Sequence, residues 1–276
     1  RLAVDKNRNG IWETATWNEY YEHSRAVGLG MYELGVRRGD MVAILSENRL
    51  EWNYADMGGQ GIGACVIGIY TTVKADEVSF IVQNSGAKII IVENKGQLQK
   101  ARVAIDESDS LKYIVIMDEA GCTLDGEKVI GLASLMKKGN ERHKTDPGLF
   151  ERLADEVEPD DLCLLQYTSG TTGVPKGAMI THGNIMAELR ALDAVKPPYG
   201  YETDHVVGFL PLSHIFERVP VHYYVMYKGI TKHMAGSIDT VADDFKAKQP
   251  MILFAVPRVL EKIYQKMQLQ VSQKPP

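Results

Sequence analysis

Cysteine is nearly absent: Cys65, Cys122 and Cys163 are the only three in 276 residues. They lie far apart, which gives neither a zinc-ligand spacing nor a disulfide framework. Scattered thiols fit a reducing compartment. Basic charge is not in excess either. The formal net charge of −5 argues against a nucleic-acid-binding face and makes any anion site a local feature. No apolar run approaches the ~18 residues of a membrane span, and no signal-peptide pattern opens the chain. The expectation is a cytoplasmic protein, or one peripheral to a membrane. Internal repeats, low-complexity tracts and metal-binding pairs such as H-E-x-x-H are also missing.

What is present is an alternation of two periods. Hydrophobic residues make up 45% and charged residues 24%, the balance of a globular chain. Short unbroken apolar runs stand at Met41–Leu45, Cys65–Tyr70, Lys88–Val92, Tyr113–Met117 and Leu162–Leu165. Stretches with helical spacing separate them, as in Ala75–Asn84 and Gly96–Asp106. Continuous apolar strands between helices predict βαβ units and parallel sheets covered on both faces. Thr16, with Glu19 three residues on, reads as a capping box that opens a helix ending at Gly35. Residues 121–159 are rich in Lys, Glu, Asp and Gly and read as a surface excursion with short helical pieces. After a break at Lys196–Gly200, strands are expected at Val206–Leu210, Ile230–Met234 and Met251–Val256, and helices at Ser237–Lys248 and Arg258–Gln268. The fold class is therefore α/β, with two βαβ-built subdomains. Residues 1–48 with 199–276 would form one discontinuous unit, and residues 49–198 the other.

Two motifs promise chemistry and lack its context. Asp5-Lys6-Asn7-Arg8-Asn9-Gly10 begins like a calcium loop, but position twelve is Thr16 rather than the bidentate glutamate. A polar turn between two strands is the plainer reading. Gly59-Gln60-Gly61-Ile62-Gly63-Ala64 fits a dinucleotide fingerprint, but it follows a helix and precedes a strand, the reverse of what that fold requires. Close helix packing is its expected role.

The stretch Tyr167-Thr168-Ser169-Gly170-Thr171-Thr172-Gly173-Val174-Pro175-Lys176-Gly177 has its context. It follows a buried strand. Its glycines free backbone N–H groups to form an anion-binding nest, its hydroxyls add donors, and Lys176 adds a point charge suited to phosphate. It is not a Walker A loop: Pro175 stands where the second glycine should be, and Gly177 where the Ser or Thr should be.

Thr168 to Gly177 resembles the signature loop of the AMP-forming adenylating enzymes. Phe209-Leu210-Pro211-Leu212-Ser213-His214-Ile215-Phe216-Glu217-Arg218 and Val256-Pro257-Arg258-Val259-Leu260-Glu261-Lys262-Ile263-Tyr264 resemble the long-chain fatty acyl-CoA synthetase branch. The resemblance runs over essentially the whole chain. It implies a fatty acid–CoA ligase that uses ATP, Mg2+ and coenzyme A, going through acyl-adenylate and pyrophosphate. It places Thr168, Ser169, Gly170, Thr171, Thr172 and Gly173 around the β- and γ-phosphates with Lys176 nearby, Thr168 at the Mg2+, and His214 against the acyl group and adenylate. Lys176 and His214 are the candidate catalytic residues. Glu217 and Arg218 read as a local pair or a cap, and Arg258 as a surface cation or the partner of an outside carboxylate.

The family also has a downstream Tyr-Gly-x-Thr-Glu motif, a ribose-binding aspartate and a small C-terminal domain with a catalytic lysine. None of these occurs in the 276 residues, so the resemblance implies an N-terminal portion that is inactive alone. The second reading is a non-catalytic nucleotide-binding or interaction module with the same fold. The sequence assigns no oligomeric state and no acyl length.

Overall fold

The computed structural model describes residues 1–8, 10–168, 174–195, 203–237 and 239–272. The loop residues Ser169 to Gly173 and the expected break at Lys196–Gly200 lie outside the described residues.

Two sheets form the framework. Strands β1 (Leu2–Arg8) and β2 (Ile11–Thr16) make an antiparallel hairpin. Parallel to β1 runs β11 (Thr231–Met234), and parallel to β11 runs β10 (His205–Gly208), giving the order β10-β11-β1-β2. The second sheet contains β3 (Met41–Leu45), β4 (Cys65–Ile69), β5 (Ile89–Val92), β6 (Tyr113–Ile116), β7 (Val129–Gly131), β8 (Leu162–Thr168) and β9 (Lys176–Thr181). Its order is β7-β6-β5-β3-β4-β8-β9, parallel except for the edge strand β9. The chain goes from β3 to β4 on one side and returns to β5 on the other, so the switch point of the sheet falls beside β3.

The unbroken apolar strands are buried on both faces, as their composition requires. Val42, Ile44, Val66, Ile89 and Ile91 pack on α1 (Trp17–Glu33), α2 (Leu50–Gly61), α5 (Leu132–Thr145) and α6 (Leu149–Asp155). Their neighbours Ala43, Leu45, Ile67, Ile90 and Val92 pack on α3 (Ala75–Ser85) and α4 (Lys95–Glu107). The remaining helices are α7 (His182–Ala194), α8 (Tyr224–Lys228), α9 (Val241–Lys248) and α10 (Pro257–Ser272). A π-helical segment, Glu217–Tyr223, precedes α8. Pro220 inside it has no N–H to donate, which disrupts ordinary α-helical hydrogen bonding there.

Several expectations meet the structure directly. The capping box forms: Glu19 N–H donates to Thr16 Oγ1 at 3.3 Å, and Thr16 N–H to Glu19 Oε2 at 2.8 Å. β1 and β2 do sheet with the strands after residue 203, but β3, grouped by sequence with the N-terminal unit, is a central strand of the second sheet. Residues 121–159 are more than a surface excursion, since β7 extends the sheet and α5 packs along α1. Their high charge hid the short buried stretch Val129–Leu132. Of the strand expected at Met251–Val256, only Ile252 pairs, with Val206. The helix expected from Ser237 starts at Val241, because Ser237 and Thr240 hydrogen-bond each other in a turn.

The calcium reading fails on Asp5. Its side chain is buried in β1, 2.8 Å from His233 Nδ1 and 2.8 Å from Lys248 Nζ, and so is already partnered within the protein. The stretch Gly59–Ala64 is packing, as expected: a Cβ on Gly59 would lie 2.8 Å from Val66 Cγ2, and one on Gly61 would run into the Phe150 ring. α1 and α2 approach so closely that a Cβ on Gly28 would lie 2.5 Å from Gly58 O and 2.8 Å from the Phe150 ring. Gly28→Ala should therefore lower stability by about 1–3 kcal/mol through overpacking, although alanine is the better helix former. A urea midpoint unchanged by the substitution would contradict this packing.

Candidate active site

Thr168 is the last residue of β8, and Lys176 the first of β9. The two are directly paired across the hairpin, so hydroxyl and ammonium project from one face of the sheet. Both are exposed. The signature stretch thus lies between two antiparallel strands, β8 and β9. Tyr167 anchors the start of the loop: its hydroxyl donates to Asn84 Oδ1 in α3 at 2.7 Å.

His214 lies in the loop after β10, held by its backbone N–H on Pro211 O at 2.8 Å. Phe216 N–H donates to His214 Nδ1 at 3.1 Å. That bond assigns the ring proton to Nε2, so the exposed imidazole can offer a hydrogen bond outward.

These groups meet. Thr168 and His214, 46 residues apart in the numbering, line one cavity of about 330 Å3 beyond the carboxyl ends of β4 and β8. Its apolar wall is Ile69, Val73, Ile81 and Ile215, and its polar groups include Glu77 and Gln166. Lys176 is not among the lining residues; Pro175 is. A larger cleft of about 470 Å3 lies between the N-terminal hairpin and the second sheet. Lys6, Arg8 and Arg49 there face Glu47, Glu93 and Asp118, and these opposed charges leave no single preference for an anion. The smaller cavity combines an apolar wall with a hydroxyl and an imidazole, as an apolar carboxylic acid bound beside a phosphate requires.

Behind His214 is a buried polar cluster that sequence reasoning did not find. Glu217 and Arg218 are not the local pair or cap expected. Arg218 is buried and holds Asp56 of α2 through both Nε, at 3.2 Å, and Nη2, while its Nη1 donates to Val66 O at 3.1 Å. The Tyr223 hydroxyl donates to Asp56 Oδ2 at 2.9 Å, and Gln60 Nε2 to Asp56 Oδ1 at 2.8 Å. Burial opposes the Arg218 charge, but Asp56 outweighs it and holds the guanidinium protonated. His222 takes a hydrogen bond from Lys232 Nζ at 3.0 Å and is kept neutral by burial and by its two cationic neighbours, Lys232 and Arg218. Burial lowers Lys232 to about 8, tempered by Glu217. The signal for this cluster was a charge set inside apolar and aromatic residues: Asp56 follows Trp52, Tyr54 and Ala55, and Arg218 precedes Val219-Pro220-Val221. Arg258, by contrast, is an exposed cation 3.1 Å from Glu261. Burial raises the thiols of Cys65 and Cys163 to about 12. Among the described residues, no group of three or more His, Cys, Asp or Glu side chains is arranged to hold a metal. Nor is any helix there long and apolar enough to cross a membrane.

Comparison with known proteins fixes the family. The profile of the AMP-binding enzymes matches residues 1–275. The chain belongs to the AMP-binding enzyme family. It is 33% identical over 276 residues to the long-chain-fatty-acid–CoA ligase ACSBG2 of Xenopus laevis, an alignment covering 96% of this chain and 36% of that protein. Among solved structures, a long-chain-fatty-acid–CoA ligase (FadD1) from Archaeoglobus fulgidus superposes with a TM-score of 0.78 at 20% identity, over 97% of this chain and 50% of that one. The adenylation and carrier didomain of a Segniliparus rugosus carboxylic acid reductase, in complex with AMP, also gives 0.78, at 21% identity over 98% and 42%. The chain thus spans little more than a third of the length of the curated relative it matches.

Glu217 supplies a pH test of the cluster. Burial raises its carboxyl from the ordinary 4.5 to about 7, with Lys232 partly offsetting. The folded state therefore favours the protonated acid. Its stabilising contribution is complete below pH 4.5 and is lost as pH rises through 7. Glu217→Gln mimics the protonated form, so its melting temperature relative to wild type should rise between pH 5 and pH 8. A difference that stays constant across that range would contradict the buried, proton-favouring site.

Proposed function

We propose that the protein containing this chain is an AMP-forming long-chain fatty acid–CoA ligase. A fatty acid carboxylate attacks the α-phosphate of ATP and displaces pyrophosphate, and coenzyme A then takes the acyl group from the adenylate. One observation carries the reading: a hydroxyl at the mouth of the signature loop and a histidine from a remote loop line the same apolar-walled cavity. Similarity to ACSBG2, named as a long-chain-fatty-acid–CoA ligase, supports the substrate class.

In this reading Ser169 to Gly173 grip the β- and γ-phosphates, and Lys176 approaches them from the paired strand. The acyl carboxylate lies by His214, whose Nε2–H donates to its non-attacking oxygen and orients it for attack. Holding carboxylate and α-phosphate in line is the main contribution of such a site, because attack then becomes effectively unimolecular. Mg2+ fits the oxygen donors at this place. Thr168 offers a hydroxyl and Glu77 a carboxylate on the same cavity. With no complete protein ligand set among the described residues, the ion would be held mostly by phosphate and water, as Mg2+ commonly is. There it would neutralise charge on the polyphosphate.

The test is pyrophosphate release from ATP by the native protein, with and without a long-chain fatty acid. Release should depend on the acid, and Lys176→Ala and His214→Ala should each reduce it, on the order of 10²–10³-fold for loss of a preorganised donor. Wild-type protein that binds ATP but releases no pyrophosphate would overturn the ligase reading in favour of a non-catalytic nucleotide-binding module.

A further inference from the structure

The segment that presents His214 is neither strand nor helix: Phe209 to His214 connect β10 to the helical turn before the π-helical segment. Backbone groups in such a connection need partners from elsewhere. Asn48 supplies two of them. Its Nδ2 donates to Leu210 O at 2.7 Å, and its Oδ1 accepts Leu212 N–H at 2.7 Å. A primary amide carries a donor and an acceptor side by side, as a backbone peptide does. Asn48 therefore acts on residues 210–212 as one unit of a neighbouring strand would.

Its place gives this clamp its reach. Asn48 is three residues past β3, at the switch point of the second sheet, whereas residues 210–212 follow β10 of the first. The two hydrogen bonds thus tie one sheet to the loop leaving the other, 162 and 164 residues away. His214 comes two residues after the clamped Leu212, and its N–H closes on Pro211 O, inside the clamped stretch. On the opposite side Ser213 rests on β4: a Cβ at Gly68 would lie 2.8 Å from Ser213 Cα. The loop is therefore seated on glycine on one side and held by the Asn48 amide on the other. Asn48 is half-buried and borders the larger cleft. Water from that cleft can satisfy Leu210 O and Leu212 N–H if the amide is removed, so the fold survives while the position of the loop is no longer defined.

We infer that Asn48 is a positioning residue for His214, fixing the loop that brings the imidazole to the cavity. The inference rests on the ligase reading above. It is tested in the native protein by fatty-acid-dependent pyrophosphate release from Asn48→Ala and Asn48→Asp, alone and combined with His214→Ala. Asn48→Asp keeps the acceptor for Leu212 N–H but sets a carboxylate oxygen against Leu210 O. Each variant should melt close to wild type and lose kcat by about 10–100-fold, the scale of a misplaced reacting group, with KM for ATP little changed. Because Asn48 acts through His214, the double variant with His214→Ala should be no slower than His214→Ala alone. A merely structural role would instead give losses that multiply and a KM for ATP that rises with them. Wild-type kcat in both Asn48 variants, or multiplying losses, overturns the inference. Absence of pyrophosphate release from the wild type is a separate result that needs no variant, and it overturns the ligase reading together with this one.

Discussion

The ion pair between Asp56 and Arg218 is the constraint on which the arrangement of the two sheets depends. Asp56 belongs to α2, packed on the second sheet, and Arg218 to the π-helical segment that follows the first. Both side chains are essentially inaccessible to water. Removing two charges from water costs several kcal/mol per ion, which only close pairing and further hydrogen bonds can offset. Here Tyr223, Gln60 and Val66 O complete the pairing. Any displacement of one sheet relative to the other would strand a buried charge. The pair is thus less a source of net stability than a device that permits one relative placement, and the His214 loop is suspended between its two sides.

That placement explains why the site forms from distant segments. Parallel strands point their carboxyl ends one way, and the ends of β4 and β8 border the same cavity. His214 comes from the other sheet and enters from the opposite side. The antiparallel pairing of β8 and β9 sets Thr168 and Lys176 side by side. An acyl group needs an apolar wall and a polyphosphate needs donors and charge. The cavity has the first in Ile69, Val73, Ile81 and Ile215 and a hydroxyl donor at its Thr168 end.

Much of this was legible in the sequence, for reasons that can be stated. Unbroken apolar runs such as Ile89–Val92 are unambiguous because burial on both faces leaves no room for polar residues. The helix start at Thr16 was legible because a capping box is a local, reciprocal pattern. The signature stretch stood out in the sequence by its glycines, hydroxyls and single lysine, and the family match covers it. The misses have separate causes. Arg218 looked local, but its carboxylate is 162 residues away. β7 was hidden in a charged segment because three residues give too short a signal. The assignment of β3 failed because strand order is a property of the sheet, and adjacency in sequence did not predict it.

The central claim is that the cavity shared by Thr168 and His214 is where an acyl-adenylate forms. The most direct measurement is a crystal structure of the native protein with a long-chain acyl sulfamoyl adenosine, a stable mimic of that intermediate. The account predicts the acyl–sulfamate junction within hydrogen-bond reach of His214 Nε2, the sulfamate toward Thr168, and the alkyl chain against Ile215. The same ligand bound in the larger cleft by Arg8 and Arg49, with His214 remote from it, would contradict the account.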